Sequence, residues 1–136
     1  MAHWLMKSEP DVYGWDDLVR EGEGTWDGVR NHAAALHLKS MQVGDQAFFY
    51  HSNIGKQIVG IVTISATAHP DPTEPEGTRW VAVRVKPHSK LPCPVTLAQI
   101  KTDAALCDMA MIRQSRLSVS PVRASEWAHI MAMAKA

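Results

Sequence analysis

Six consecutive residues, Trp26-Asp27-Gly28-Val29-Arg30-Asn31, bring together a flat indole, a backbone hinge, a guanidinium and an amide side chain. These are the parts of a recognition loop. Trp26 offers a face for stacking, Gly28 allows close backbone approach, Arg30 suits phosphate, and Asn31 presents a donor and an acceptor to a base edge. The competing reading is structural, a buried Trp in a β-to-α connection with Asn31 capping the helix that follows. Three more polar clusters stand at strand ends or loops: Lys7-Ser8-Glu9-Pro10, Tyr50-His51-Ser52 and Leu117-Ser118-Val119-Ser120-Pro121. Gathered at one mouth of a barrel, they would let a flat ligand stack on Trp26 and be read by Ser8, Asn31, His51 and Ser52. Each also has a plain alternative: Ser8 as a turn cap, His51 as a satisfied core histidine, Ser118 as an edge-strand hydroxyl.

Other chemistries find no support. There is no Gly-rich phosphate cradle, no Gly-x-Ser-x-Gly elbow and no His-Glu-x-x-His. His32 and His37 are five apart, which does not place them on one helix face, and no Cys or Asp repeats at ligand spacing, so neither metal nor cofactor is expected. Glu9, Asp11, Asp16 and Asp17 lie where helix-start acids belong, and 136 residues leave little room for a sugar cleft. Nothing near Cys107 in sequence marks it as a nucleophile. The 14 basic side chains equal the 14 acidic ones, so any nucleic-acid binding must be local. Cys93 and Cys107 fit reduced thiols. The opening residues turn polar at Lys7, and the longest apolar run is residues 58 to 62, far short of a membrane span. These features lead us to expect one soluble cytoplasmic domain over residues 1–136, a monomer or weak homodimer without a membrane partner.

The elements that must position these clusters can be read from periodicity. Residues 3 to 8 form a short strand stopped by Pro10. Trp15, Leu18 and Val19 fall on one face of a helix over about 14 to 21, with Gly22 after its end. Ala34, Leu38 and Met41 recur at helical spacing from about Asn31, and Val43-Gly44-Asp45 turns the chain. Residues 46 to 52, 57 to 67 and 80 to 85 read as three neighbouring antiparallel strands. Residues 53 to 56 make a hairpin connection, and the proline-rich stretch from His69 to Gly77 reads as an exposed, irregular loop. Thr96 and Gln99 form a capping-box pattern for a helix to about Lys101, and Leu106, Met109 and Ile112 suggest a further turn or two. Leu117 to Val122 is a short strand. Ser125 is a candidate cap for a final helix presenting Trp127, Ile130, Met131 and Ala134 on one face. The pattern gives an α+β fold, a small curved, mostly antiparallel sheet forming a partly closed barrel with short helices over it.

Taken in order, Trp4-Leu5-Met6-Lys7-Ser8-Glu9-Pro10, Trp26 to Asn31, Val43-Gly44-Asp45, Phe48-Phe49-Tyr50-His51-Ser52, Val59-Gly60-Ile61 and Leu117 to Val122 resemble the EVE domain family over nearly the whole chain. The resemblance implies a PUA-like pseudo-barrel whose pocket holds a modified nucleobase, with modified cytosine in DNA the implied ligand and RNA a further one. It further implies Trp26 as a pocket wall, Lys7 and Ser8 on the first-strand side, Val29, Arg30 and Asn31 at the helix entry, Tyr50, His51 and Ser52 as the floor, and Leu117 and Ser118 closing it. Two departures stand out: family members often carry Gln, Ala, Arg and Asn soon after Asn31, where this chain has His32, Ala33, Ala34, Ala35 and Leu36, and the His69–Arg79 loop is shorter. The first implies a smaller polar reach.

Three functions remain open on the sequence: a non-catalytic reader of a modified base, a small-molecule or nucleoside binder favoured by the neutral charge, and an enzyme on a modified base using His51 or Glu9.

Overall fold

The computed structural model describes residues 2–74, 80–114 and 116–135. Its strands are β1 (His3–Ser8), β2 (Gly24–Trp26), β3 (Gln46–His51), β4 (Gln57–Pro70), β5 (Val81–Thr96) and β6 (Val119–Val122). The helices are α1 (Pro10–Tyr13), α2 (Trp15–Glu21), α3 (His32–Ser40), α4 (Leu97–Thr102), α5 (Ala110–Arg113) and α6 (Ala124–Met133), with a 3-10 turn at Ala104–Leu106. All six strands join one sheet in the order β2-β5-β4-β3-β1-β6. Among the described strands, only the β1–β3 pair is parallel, with Leu5 opposite Phe48. The sheet is not closed and has β2 and β6 as its edges, in line with the curved, partly closed sheet expected from the sequence. The edges nevertheless come near each other. Trp26 of β2 and Val119 of β6 belong to one buried cluster, and α3 packs against β6, β4 and β5, so the sheet curls around that helix.

Strand alternation divides the core in two. Trp4, Met6, Phe49, Val62, Val83 and Val119 face α2 and α3. Leu5, Phe48, Tyr50, Ile58, Val95 and Val122 face the other way, toward α4, α5 and α6. Trp127 of α6 stacks on Phe48 at 3.9 Å between ring centroids and meets His3 at 4.3 Å with the rings tilted, which seals the second face. On the first face, Trp15 meets Phe49 edge-on at 5.6 Å and lies flat over Gly60.

Several elements depart from the sequence expectation. Pro10 does more than stop β1: it opens α1, where a missing N–H costs nothing. Val19 of α2 is exposed, leaving Trp15 and Leu18 as the buried stripe. Trp26 lies on a strand and not in a loop, because Gly24–Trp26 pairs with Val83–Val85. β4 continues through His69 and Pro70, so the start of the proline-rich stretch is regular strand, and Asp71 just after it is buried, although Pro70 itself is exposed as expected. Residues 75 to 77 of that expected loop lie outside the described residues. β5 runs on to Thr96 despite Pro87, Pro92 and Pro94. β2 covers the outer edge of β5 only at Val83–Val85, so prolines beyond it remove no ladder bond on that side. At α6 the cap is Arg123, whose N–H is accepted by buried Glu126 Oε1 at 2.9 Å, and Ser125 is already helical.

A methyl group at Gly60 would stand 2.5 Å from the Trp15 ring. Gly60→Ala is therefore expected to cost about 1–3 kcal/mol through forced displacement of the indole. Urea denaturation measures this, and an unchanged midpoint would show that Trp15 yields freely.

Candidate functional site

A cleft of about 660 Å³ opens where the two sheet edges approach. Gly24 to Arg30 form one side, the end of β1 with Lys7 and Ser8 faces them, Ser118 stands beside β6, and Val12, Tyr13 and Glu21 close the α1–α2 end. The cleft gathers Lys7, Ser8, Trp26, Val29, Arg30 and Ser118 from the residues the sequence singled out. The others lie elsewhere, for reasons visible in the backbone.

Tyr50 sits on the opposite sheet face from Trp26, as alternation along β3 requires. With Ser52 it lines a separate cleft, so these two do not floor the Trp26 cleft. His51 is on the same face as Phe49, but its Nε2 accepts the Trp15 N–H at 3.1 Å, which fixes the start of α2. Burial holds the His51 pKa below the usual histidine value, against a smaller opposing pull from Asp16. The ring is the satisfied histidine of the structural reading. Asn31 and Leu117 border a third, adjoining depression with Arg113 and Arg116. Asn31 Oδ1 accepts the Ala34 N–H at 3.0 Å and caps α3.

Within the cleft, several polar groups are already committed. The Ser8 hydroxyl donates to the Tyr13 carbonyl at 2.6 Å, acting as a turn cap. The Tyr13 hydroxyl donates to Glu21 Oε1 at 2.7 Å, and burial followed by that bond raises its pKa. Arg84 reaches Thr25 Oγ1 at 2.7 Å and Glu23 Oε1 at 3.0 Å, while Ser65 donates to the other Glu23 oxygen. Trp26 itself is 7% exposed and meets Phe49 edge-on at 5.4 Å, so it offers the cleft a rim of indole and not a bare face.

The residue that the sequence reading missed is Asp71. Its Oδ2 accepts the Gly28 N–H at 2.8 Å and Arg30 Nη1 at 3.0 Å, and its Oδ1 accepts the Thr73 N–H at 2.7 Å and the Thr73 hydroxyl at 2.6 Å. Arg30 also bonds Thr73 Oγ1 at 3.0 Å and lies over the Trp80 ring at 5.7 Å. Its charge is therefore spent on Asp71 rather than offered to phosphate. Gly28, with φ of +76°, supplies the left-handed turn that aims its N–H at the carboxylate. The Asp-Pro-Thr run at 71–73 carried the available signal, since Asp commonly accepts from the backbone two residues on.

Among the described residues, no group of three or more His, Cys, Asp or Glu side chains is placed to hold a metal ion, and no helix is long and apolar enough to cross a membrane. Glu9, the other acid-base candidate, does not line the cleft.

Burial alone would raise the Asp71 pKa, but the Thr73, Arg30 and Gly28 hydrogen bonds outweigh it and hold it at about 2. A carboxylate depressed in the folded state stabilises the fold above its unfolded pKa, and that contribution is lost as pH falls through the folded one. The loss therefore falls between about pH 4 and pH 2, and amounts to roughly 2 kcal/mol. Asp71→Asn is expected to lower stability at pH 7 by about 2–4 kcal/mol and to flatten that acid limb, as followed by urea denaturation at stepped pH. An acid limb equal to wild type would refute the assignment.

A sequence profile of the EVE domain matches residues 2–133. Thymocyte nuclear protein 1 from Danio rerio is 32% identical across 97% of this chain and 71% of its own length, and the Homo sapiens protein is 30% identical across 97% and 73%. The NMR structure of a Rhodopseudomonas palustris protein superposes with a TM-score of 0.93 at 50% identity, covering 99% of this chain and 94% of that one. The crystal structure of human thymocyte nuclear protein 1 in complex with 5-methylcytosine-containing DNA superposes with a TM-score of 0.89 at 29% identity, covering 100% and 99%. Relatives named for the nucleus lend no support to the cytoplasmic location expected from the sequence. With a family profile spanning almost all of its residues and relatives matched over nearly its full length, the chain belongs to the EVE domain family.

Proposed function

We propose that the protein is a non-catalytic reader, one EVE domain over residues 1–136, that takes a modified cytosine of DNA into the cleft beside Trp26. The observation that carries this reading is the cleft itself, base-sized and bordered by the Trp26–Arg30 segment, Lys7, Ser8 and Ser118, in a fold whose human relative is solved in complex with 5-methylcytosine-containing DNA. Its volume of about 660 Å³ falls in the range of small-ligand pockets. Val12 and Val29 give it apolar surface against which a 5-methyl group can bury, and the indole rim of Trp26 supplies an aromatic edge. Burying one methyl contributes about 0.8 kcal/mol, roughly a fourfold preference over cytosine. Extrusion of the base costs a few kcal/mol, which stacking and base-edge hydrogen bonds must offset. Neither acid–base candidate from the sequence supports an enzyme, because His51 is engaged by Trp15 and Glu9 lies outside the cleft.

One observation favours a second reading, that of a free-nucleoside binder. Glu21, Glu23 and Asp27 line the cleft, and its Arg30 and Arg84 are already paired with Asp71 and Glu23, so the cleft has little charge to spare for phosphate.

Fluorescence anisotropy with cytosine- and 5-methylcytosine-containing oligonucleotides separates the readings. The reader should prefer the modified strand about fourfold. Trp26→Ala should weaken it but also remove a core side chain, so Ser118→Phe, which fills the cleft from its rim, should abolish the preference in a folded protein. Equal binding of both strands by wild type would reject the reader, and thermal protection by nucleosides but not by oligonucleotides would establish the alternative.

A further inference from the structure

The cleft beside Trp26 leaves a charge problem. A DNA strand carries a phosphate at every nucleotide, yet the cleft is lined by Glu21, Glu23 and Asp27, and its two arginines are neutralised by Asp71 and Glu23. The whole chain is electrically neutral. If a strand delivers its base here, its backbone must be held on a neighbouring surface of opposite character.

Such a surface adjoins the cleft through Lys7, which lines both. A second cleft of about 440 Å³ lies on the other face of the sheet end, where Lys7, Lys56 and Lys101 surround a floor that includes Tyr50 and Met111, with Ser52 beside them. Among the described residues, no acidic one lines it. Its lysines come from three separate elements, and the fold fixes each of them. Lys7 lies over the Tyr50 ring at 5.9 Å, and burial lowers its pKa. Lys56 ends the β3–β4 turn in a left-handed conformation, φ +48°, and its carbonyl accepts the Leu97 N–H at 2.8 Å. That bond ties the turn to the first residue of α4. The reciprocal Thr96–Gln99 cap then sets the helix that carries Lys101 one turn further on. A non-glycine residue in this conformation is strained and persists where surrounding bonds hold it.

From this arrangement we infer that the Lys7–Lys56–Lys101 cleft is the phosphodiester track of the DNA strand whose base occupies the Trp26 cleft. The inference rests on the reader proposed above and adds the side from which the strand arrives. The backbone crosses the end of β1 from the α4 side, and the acidic α2 side faces away from it. Lysine ammonium groups suit this task because they hold phosphates as point charges without reading sequence. The apolar floor gives the sugar ring a surface to lie on.

The test is the salt dependence of binding, measured by anisotropy from 50 to 300 mM KCl with single-stranded oligonucleotides carrying cytosine or 5-methylcytosine. Lys56→Gln with Lys101→Gln removes two exposed charges outside the Trp26 cleft. It should weaken binding of both oligonucleotides several-fold, make the slope of log K against log salt shallower by about 1.4, and leave the ratio between the two strands unchanged. Lys86→Gln with Lys90→Gln, on exposed positions of β5, serves as the control and should leave the slope near wild type. A slope unchanged by the first pair, an equal change from the control pair, or no measurable binding by wild type at 50 mM would overturn the track. Loss of the preference for the modified strand would instead count against the base cleft, so the two proposals fail on different readings. A slope that drops as stated with no preference in wild type would keep the track and reject the reader.

Discussion

One buried carboxylate holds the recognition segment to the sheet. Asp71 stands at the end of β4 and receives four hydrogen bonds, two from Thr73 beside it and two from Gly28 and Arg30 more than forty residues earlier. A buried charge is tolerated only when it is paired and fully bonded, and this one is. The same contacts decide what the segment can do. They set the Gly28 turn, keep Trp26 against Phe49, and direct the Arg30 guanidinium inward, where it holds the loop and leaves phosphate to other residues. A second carboxylate works alike just before β3. Asp45 accepts from Trp4 Nε1, Gln42 N–H and Ala2 N–H, tying the chain start to the turn before β3.

The other governing constraint is the two-residue period of the strands. It assigns Trp4, Met6 and Phe49 to one face and Leu5, Phe48 and Tyr50 to the other, so neighbours in sequence serve different cores. Lys7 gains its position from this rule. At the end of β1 it projects with the Tyr50 face yet borders the cleft on the Trp26 face, and it is therefore the residue the two clefts share.

Much of this was legible in the sequence wherever a local pattern and the tertiary structure agreed. The central strands, the Asn31 cap and the Thr96–Gln99 cap are set by alternation or by side chains bonding within a few residues, so short windows capture them. The EVE-like motifs pointed to the family through residues in their order along the chain. What escaped depends on distant partners. β2 is three residues long and exists only through its pairing with β5. The second half of β5 hides behind three prolines whose missing donors matter only if another strand covers that edge. Asp71 lies in what reads as a proline-rich loop, and its role appears only when the Gly28 turn is brought to it. The grouping of Tyr50 with Trp26 failed differently. The resemblance implies Tyr50, His51 and Ser52 as one floor, although alternation along β3 splits them.

The position of β1 has a consequence for the order in which the molecule assembles. β1 lies between β3 and β6, and its Leu5 is opposite both Phe48 and Ser120. β1 thus gains its second neighbour only once β6 has been made, a pairing of high sequence separation that pays its loop-closure entropy late. Strands β1 to β5 can associate earlier, but they leave one flank of β1 as an open edge. The rim at Ser118 precedes β6 directly, so the cleft gains that wall in the same closing step that removes the open edge. Completion of the sheet and completion of the cleft are then a single event.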